Sequence, residues 1–169
     1  MDLDRIDYQV LDALQHDAKI PLKKIGEMVG LSAPSVLERI RKLELAGIIR
    51  GYRAEIDAHA VGLDVAAFIG VSVQTPATLA AVERWVAGEP QIQECHHVTG
   101  GFTLMLKVKT RNTRELQALI SRIRSLDGVA STETMVVLSS TTERTQIAFD
   151  IPEEDDAHAR VKRAKRRAP

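Results

Sequence analysis

The stretch LKKIGEMVGLSAPSVLERIRKLELAG, residues 22–47, carries two helical signatures joined by a Gly-Leu-Ser turn. Leu22, Ile25 and Val29 fall on one side of a short helix over 22–29, and Pro21 before it stands where a first-turn N–H has no partner in any case. Gly30 stops that helix. Ser32 is placed to cap a longer one, Pro34 lies in its first turn, and Gly47 suits the left-handed residue that closes a helix after Leu45. On this longer helix Val36, Leu37, Ile40 and Leu43 cluster on one side, Ser35, Glu38, Arg41 and Lys42 fall on the other, and Arg39 sits at the edge.

A helix that enters the DNA major groove needs this division, one face sealed against its own domain and the other polar and small near the N-terminus. Ser32, Pro34 and Ser35 let the backbone approach DNA, and the helix start itself favours a phosphate. Arg39, Arg41 and Lys42 are the expected charge contacts, with Glu38 on the same polar face. Taken alone, the pattern describes any amphipathic surface helix. The short helix and glycine turn before it shift the reading to a helix-turn-helix.

Outward on the N-terminal side, Asp4 is a candidate N-cap for a first helix whose Ile6, Val10, Leu11 and Leu14 share a face, ending near Asp17. On the C-terminal side, GIIRGYRAEID reads as an extended piece and a plausible wing, bringing Arg50 and Arg53 to the same interface. Residues 1–53 thus form a winged helix-turn-helix, and 54–64 a short polar hinge.

From Val65 the pattern changes. VAAFIGVSVQ alternates as a strand, Pro76 to Ala87 reads as a helix, and Ile92 to Thr99 and Phe102 to Lys109 form two strands joined by Gly100-Gly101 in a tight hairpin. Asn112 caps a further helix with Glu115 in a capping-box position, and Val129 to Leu138 is a fourth strand. The order β-α-β-β-α-β is the ferredoxin-like layout, so the expected class is α+β, with a second domain over 65–150 that includes an extended piece at Thr145 to Asp150. Residues 151–169 read as a flexible charged tail, acidic at Glu153 to Asp156 and basic from Arg160 to Arg167, either an accessory DNA arm or a solubilising end.

The chain has 169 residues, 44% of them apolar, which allows a real core without metal or disulfide staples. Net charge is zero, but 19–53 is rich in Lys and Arg whereas 2–17 is acidic, so one face can be basic while the whole is neutral; an ordinary charge mosaic fits the composition equally. One cysteine, no signal-peptide pattern and no bilayer-length apolar run point to the cytoplasm and away from membranes. Cys95 and His97 share a strand face while His96 points away. With no second Cys/His group at zinc-like spacing, neither a metal nor a cofactor is expected. Trp85 reads as a packing or interface residue.

The strings LDRIDYQVLDALQHDAKI, VGLSAPSVLERIRKLELAGIIRGYRAEID and IQECHHVTG resemble the Lrp/AsnC (feast/famine) family of transcriptional regulators over residues 3 to about 150. The resemblance implies a sequence-specific binder of double-stranded DNA whose helix-turn-helix pair falls on Leu22 to Arg41. It further implies assembly with copies of itself into dimers and then tetramers or octamers, and a small-molecule effector, commonly an amino acid, held where regulatory domains meet. The matching loop is VTGGFTLML, with Val98, Thr99, Gly100, Gly101 and Thr103 as effector-binding candidates. Glycines there expose backbone N–H groups to a carboxylate, or merely make a turn. Many relatives carry an aspartate where this chain has Thr103, and a polar or acidic residue at Gly101, so the partner for an amino group is missing. Two other functions share the layout: a haem-precursor decarboxylase, for which only His96-His97 offers candidates, and a small-molecule-binding module without DNA function.

Overall fold

A computed structural model describes residues 2–152 and divides them into two compact units. The first comprises residues up to Ala54 together with the chain from Arg144 onward, and the second runs from Glu55 to Glu143.

In the first unit, α1 (Arg5–His16), α2 (Leu22–Val29) and α3 (Ala33–Leu45) enclose a core of Val10, Leu11, Ala13, Ile25, Val36, Ile40 and Leu43. Asp4 caps α1 and exchanges hydrogen bonds with Asp7, each carboxylate accepting the other's backbone N–H, a capping box built from two aspartates. Pro21 is the N-cap of α2 rather than its first-turn residue, and it supplies no side-chain cap. Gly30 closes α2 in the left-handed conformation, and the Leu31 N–H donates back to the Gly26 carbonyl. Gly26 itself is buried where the turn crosses α2, and a side chain there would strike the Leu31 carbonyl oxygen. After α3, the N–H groups of Gly47 and Ile48 donate to the Glu44 and Leu43 carbonyls, closing the helix as a Schellman motif.

Two features of this unit differ from the sequence expectation. The wing is not a strand: residues 50–56 run as exposed irregular chain, because no neighbouring strand among the described residues takes their backbone groups. Residues 144–150 fold with this unit rather than with the second. Gln15 on α1 clasps the backbone of Ile147, its Nε2 donating to the carbonyl (3.0 Å) and its Oε1 accepting the N–H (2.8 Å). Phe149 then packs on the helical core with its ring 5.6 Å from that of Tyr8.

The second unit opens with a single 3-10 turn, His59–Val61, inside the stretch expected to be a hinge. It continues as β1 (Val65–Val73), α4 (Pro76–Ala87), β2 (Ile92–His97), β3 (Leu104–Thr110), α5 (Thr113–Arg124) and β4 (Val129–Val136). The strands form one antiparallel sheet in the order β2-β3-β1-β4. Alternation sends Ala67, Ile69 and Val71 of β1 and Leu104, Leu106 and Val108 of β3 to one face, where Val82, Val86, Leu116, Leu119 and Ile123 of the two helices cover them. The architecture is therefore α+β, a three-helix unit followed by a βαββαβ unit.

Here too the details correct the expectation. The β2–β3 connection is not a two-residue turn but a loop over 98–103, in which Gly100 has φ +117° and Gly101 is not left-handed. β4 ends at Val136, two residues early. Asn112 caps α5 by accepting the Glu115 N–H, but the Glu115 carboxylate turns to the backbone and guanidinium of Arg111, so the capping box is only half made.

Candidate nucleic-acid interface

The third helix presents one polar face and one sealed face, both fixed by what packs beneath it. Val36 and Leu43 are wholly buried and Ile40 nearly so, which fixes the rotation of α3 about its own axis. At 100° per residue, Pro34, Ser35, Glu38, Arg41 and Lys42 then lie within a band opposite that core. Ser35 is half-buried and the other four are exposed. Glu38 stands at the middle of the band and pairs with Lys42 one turn on (2.8 Å). The hydrogen bond and charge of Lys42 hold the Glu38 carboxyl below its usual range, so it is ionised at neutral pH.

Ser32 is occupied by the helix itself, accepting the Ser35 N–H (3.3 Å) and meeting the Ser35 hydroxyl at 2.8 Å. Arg39, expected among the charge contacts, is engaged within the helical unit. Its guanidinium turns away from the band, donating from Nη1 to Asp4 Oδ2 (2.8 Å) and to Asp7 Oδ1 (2.7 Å). The Asp7 side chain is only 5% exposed. Burial works against the charge on Arg39, but the two carboxylates outweigh it and raise its pKa. Arg39 thus ties α3 to the N-cap of α1. The sequence signal for this was the acidic pair Asp4 and Asp7, read only as a capping residue and part of an acidic stretch. A shallow recess beside this clasp is lined by Asp7, Leu31, Ser35, Glu38, Arg39 and Lys42.

Arg50 and Arg53 are exposed on the irregular chain after α3. Between them the Tyr52 hydroxyl donates to the Glu44 carboxylate (2.9 Å), and burial together with that acceptor pushes its pKa up to about 12. The basic run at 160–167 lies outside the described residues.

In the second unit, the structure brings the effector-loop candidates together at one end of the sheet. Val98 donates its N–H to the Thr103 carbonyl, and Thr103 donates its own to Val71. Gly101 offers its carbonyl to the Ser72 hydroxyl (3.2 Å). The Thr103 hydroxyl accepts the Val73 N–H (3.2 Å), so this side chain completes the strand edge. Phe102, expected to open the third strand, lies before it instead and lays its ring against Gly70, where any Cβ would collide with it. Thr99, Gly100 and Gly101 remain exposed.

Cys95, His96 and His97 are exposed on the edge strand, and His96 bonds to Glu94 (3.0 Å). Burial, then the charge of Glu83, raises the Cys95 pKa. Trp85 packs against the sheet core beneath the Arg122 guanidinium. Among the described residues no helix is long and apolar enough to cross a membrane.

A three-helix unit whose third helix has an open polar face, followed by a βαββαβ unit, is the layout of a helix-turn-helix regulator with a ligand-binding domain. The family models say the same: residues 3–44 match the AsnC-type helix-turn-helix domain and residues 66–147 the Lrp/AsnC ligand binding domain. The chain is 37% identical over 145 residues to the HTH-type transcriptional regulator FL11 of Pyrococcus horikoshii, covering 86% of this chain and 95% of that one. It is 35% identical over 150 residues to the leucine-responsive regulatory protein of Rhizobium meliloti, with 87% and 96% covered. Among solved structures, Escherichia coli AsnC superposes with a TM-score of 0.81 at 28% identity over 86% of this chain and 99% of that one. A transcriptional regulator of Neisseria meningitidis in complex with L-methionine gives 0.84 at 26% identity over 88% and 98%.

This chain belongs to the Lrp/AsnC family and is a DNA-binding transcriptional regulator with an effector-binding domain. The relatives are regulators rather than enzymes, so the decarboxylase alternative falls, and so does a binding module without DNA function.

Proposed function

We propose that the chain is a sequence-specific, oligomeric regulator that lays α3 in the major groove of double-stranded DNA. Ser35, Glu38, Arg41 and Lys42 meet bases and phosphates, with Ser32 and Pro34 at the helix start allowing close approach and Arg50 and Arg53 flanking. The observation that carries this is the division of α3, whose apolar face seals the core while its polar face is open. Fluorescence anisotropy with a duplex from the gene's own upstream region tests it. Binding should weaken steeply with salt, log K falling by about 0.9 per log unit of salt for each phosphate neutralised. Absence of binding at low salt removes the reading.

The oligomer is built on the uncovered face of the sheet. Phe68 on β1 is 38% exposed there, and its cross-strand neighbour Met135 is 41% exposed. An apolar, open sheet face suits a second copy of the same surface. Sedimentation should give a dimer or larger, weakened by Phe68→Glu.

The effector is a small metabolite held at residues 98–103 in the cytoplasm. The names of the relatives point to amino acids and amino-acid metabolism. Against a free α-amino acid stands the loop itself, which has no carboxylate between Val98 and Thr103 to hold an ammonium group. Residues 98–103 therefore hold a ligand chiefly through backbone N–H groups. Calorimetric titration with an amino-acid panel checks this, and micromolar leucine binding contradicts it.

A further inference from the structure

Resting on the major-groove reading above, we infer that Glu38 is the specificity-determining residue of the DNA interface and reads the exocyclic amino group of a cytosine. The withdrawal of Arg39 into Asp4 and Asp7 leaves Glu38 at the centre of the open face of α3, 68% exposed, with Lys42 beside it. A carboxylate in that place is repelled by the phosphates on both sides of the groove. It adds nothing to general DNA affinity. What it can do is accept a hydrogen bond, and only a base edge that donates offsets the repulsion.

Two bases donate in the major groove, cytosine from N4 and adenine from N6. At adenine the N7 acceptor stands next to N6 and faces the second carboxylate oxygen, lone pair against lone pair. Cytosine has no such acceptor, so a carboxylate selects it. The pairing guanine offers O6 and N7 to a donor, and the Lys42 ammonium lies 2.8 Å from Glu38 Oε1, within reach of the same base pair or the next. Glu38 and Lys42 together thus match a C·G pair in a fixed orientation.

The test is selection from a pool of random duplexes with the full-length protein and two variants, Glu38→Ala and Glu38→Gln. Glu38 has no buried contact, so both variants should fold, which circular dichroism verifies. The wild type should enrich a motif with a C·G pair at one position of each half-site. Glu38→Ala should make that position degenerate, losing about tenfold or more of discrimination, while binding to unrelated duplex stays equal or tightens. Glu38→Gln should exchange cytosine for adenine there, since an amide donates to N7 and accepts from N6. If the wild type enriches a motif that both variants enrich unchanged, the role of Glu38 is overturned and the groove reading stands. If the wild type enriches no motif, the groove reading itself has failed.

Discussion

Arg39 Nη1 lies 2.7 Å from Asp7 Oδ1, joining the third helix to the start of the first through a carboxylate that is almost fully buried. With Asp4 as the second acceptor, this clasp links the capping box of α1 to the orientation of α3. Removing the guanidinium leaves the Asp7 carboxylate shielded from water and short of a partner. Arg39→Ala should lower stability by about 1–3 kcal/mol in urea unfolding. It should also weaken DNA binding without changing the salt slope, whereas Arg50→Ala, at a flanking phosphate contact, should reduce that slope by about one. A drop in slope for Arg39→Ala equal to that of Arg50→Ala would return Arg39 to the phosphate backbone.

The same clasp predicts acid sensitivity. Burial raises the Asp4 pKa, but the Asp7 N–H and the Arg39 guanidinium overcome this and hold it below its ordinary value of 3.8. A carboxyl whose pKa is lower folded than unfolded stabilises the fold above the unfolded value and loses that contribution as the pH falls through the folded one. The first unit should therefore lose stability below about pH 4, and Asp4→Asn should flatten that part of the profile. Thermal unfolding between pH 3 and 7 reads it. An unchanged profile in the variant contradicts the assignment.

The segment after the sheet domain is structural to the DNA-binding unit. Phe149→Ala removes a partly buried ring that packs on the helical core and lies tilted to Tyr8, for an expected loss of about 1–2 kcal/mol. Amide exchange should quicken in α1 and remain unchanged in β1 and β3. Faster exchange in the sheet instead would place Phe149 elsewhere.

Gly70 is required by Phe102. Gly70→Ala should force the ring off the strand, cost about 1–3 kcal/mol of overpacking and shift the amide resonances of 98–103. Resonances confined to the immediate neighbours of residue 70 would mean that Phe102 does not hold the loop.

Much of this was readable from local chemistry. The bounds of α2 and α4, the caps at Asp4, Ser32 and Asn112, and the closing Gly47 follow from rules that need only a few neighbouring residues. The failures are long-range. The Asp4 and Asp7 carboxylates meet Arg39 only once three helices pack, so nothing near Arg39 in the sequence reveals that ion pair. Likewise Thr145 to Asp150 has strand-like composition, and its partner is the amide of Gln15, 132 residues away from Ile147 in sequence. Gly100-Gly101 resembled a tight hairpin because local rules cannot see Phe102 seeking the gap at Gly70 or Thr103 finishing the edge of β1.

The central claim is that the open face of α3 enters the major groove, and methylation protection of guanine N7 measures that contact directly. On a bound upstream duplex, the wild type should protect guanines in patches about one helical turn or a multiple apart. Lys42→Ala and Arg41→Ala should lose the protection while keeping their oligomeric state. Full binding with every guanine N7 still reactive would contradict the account.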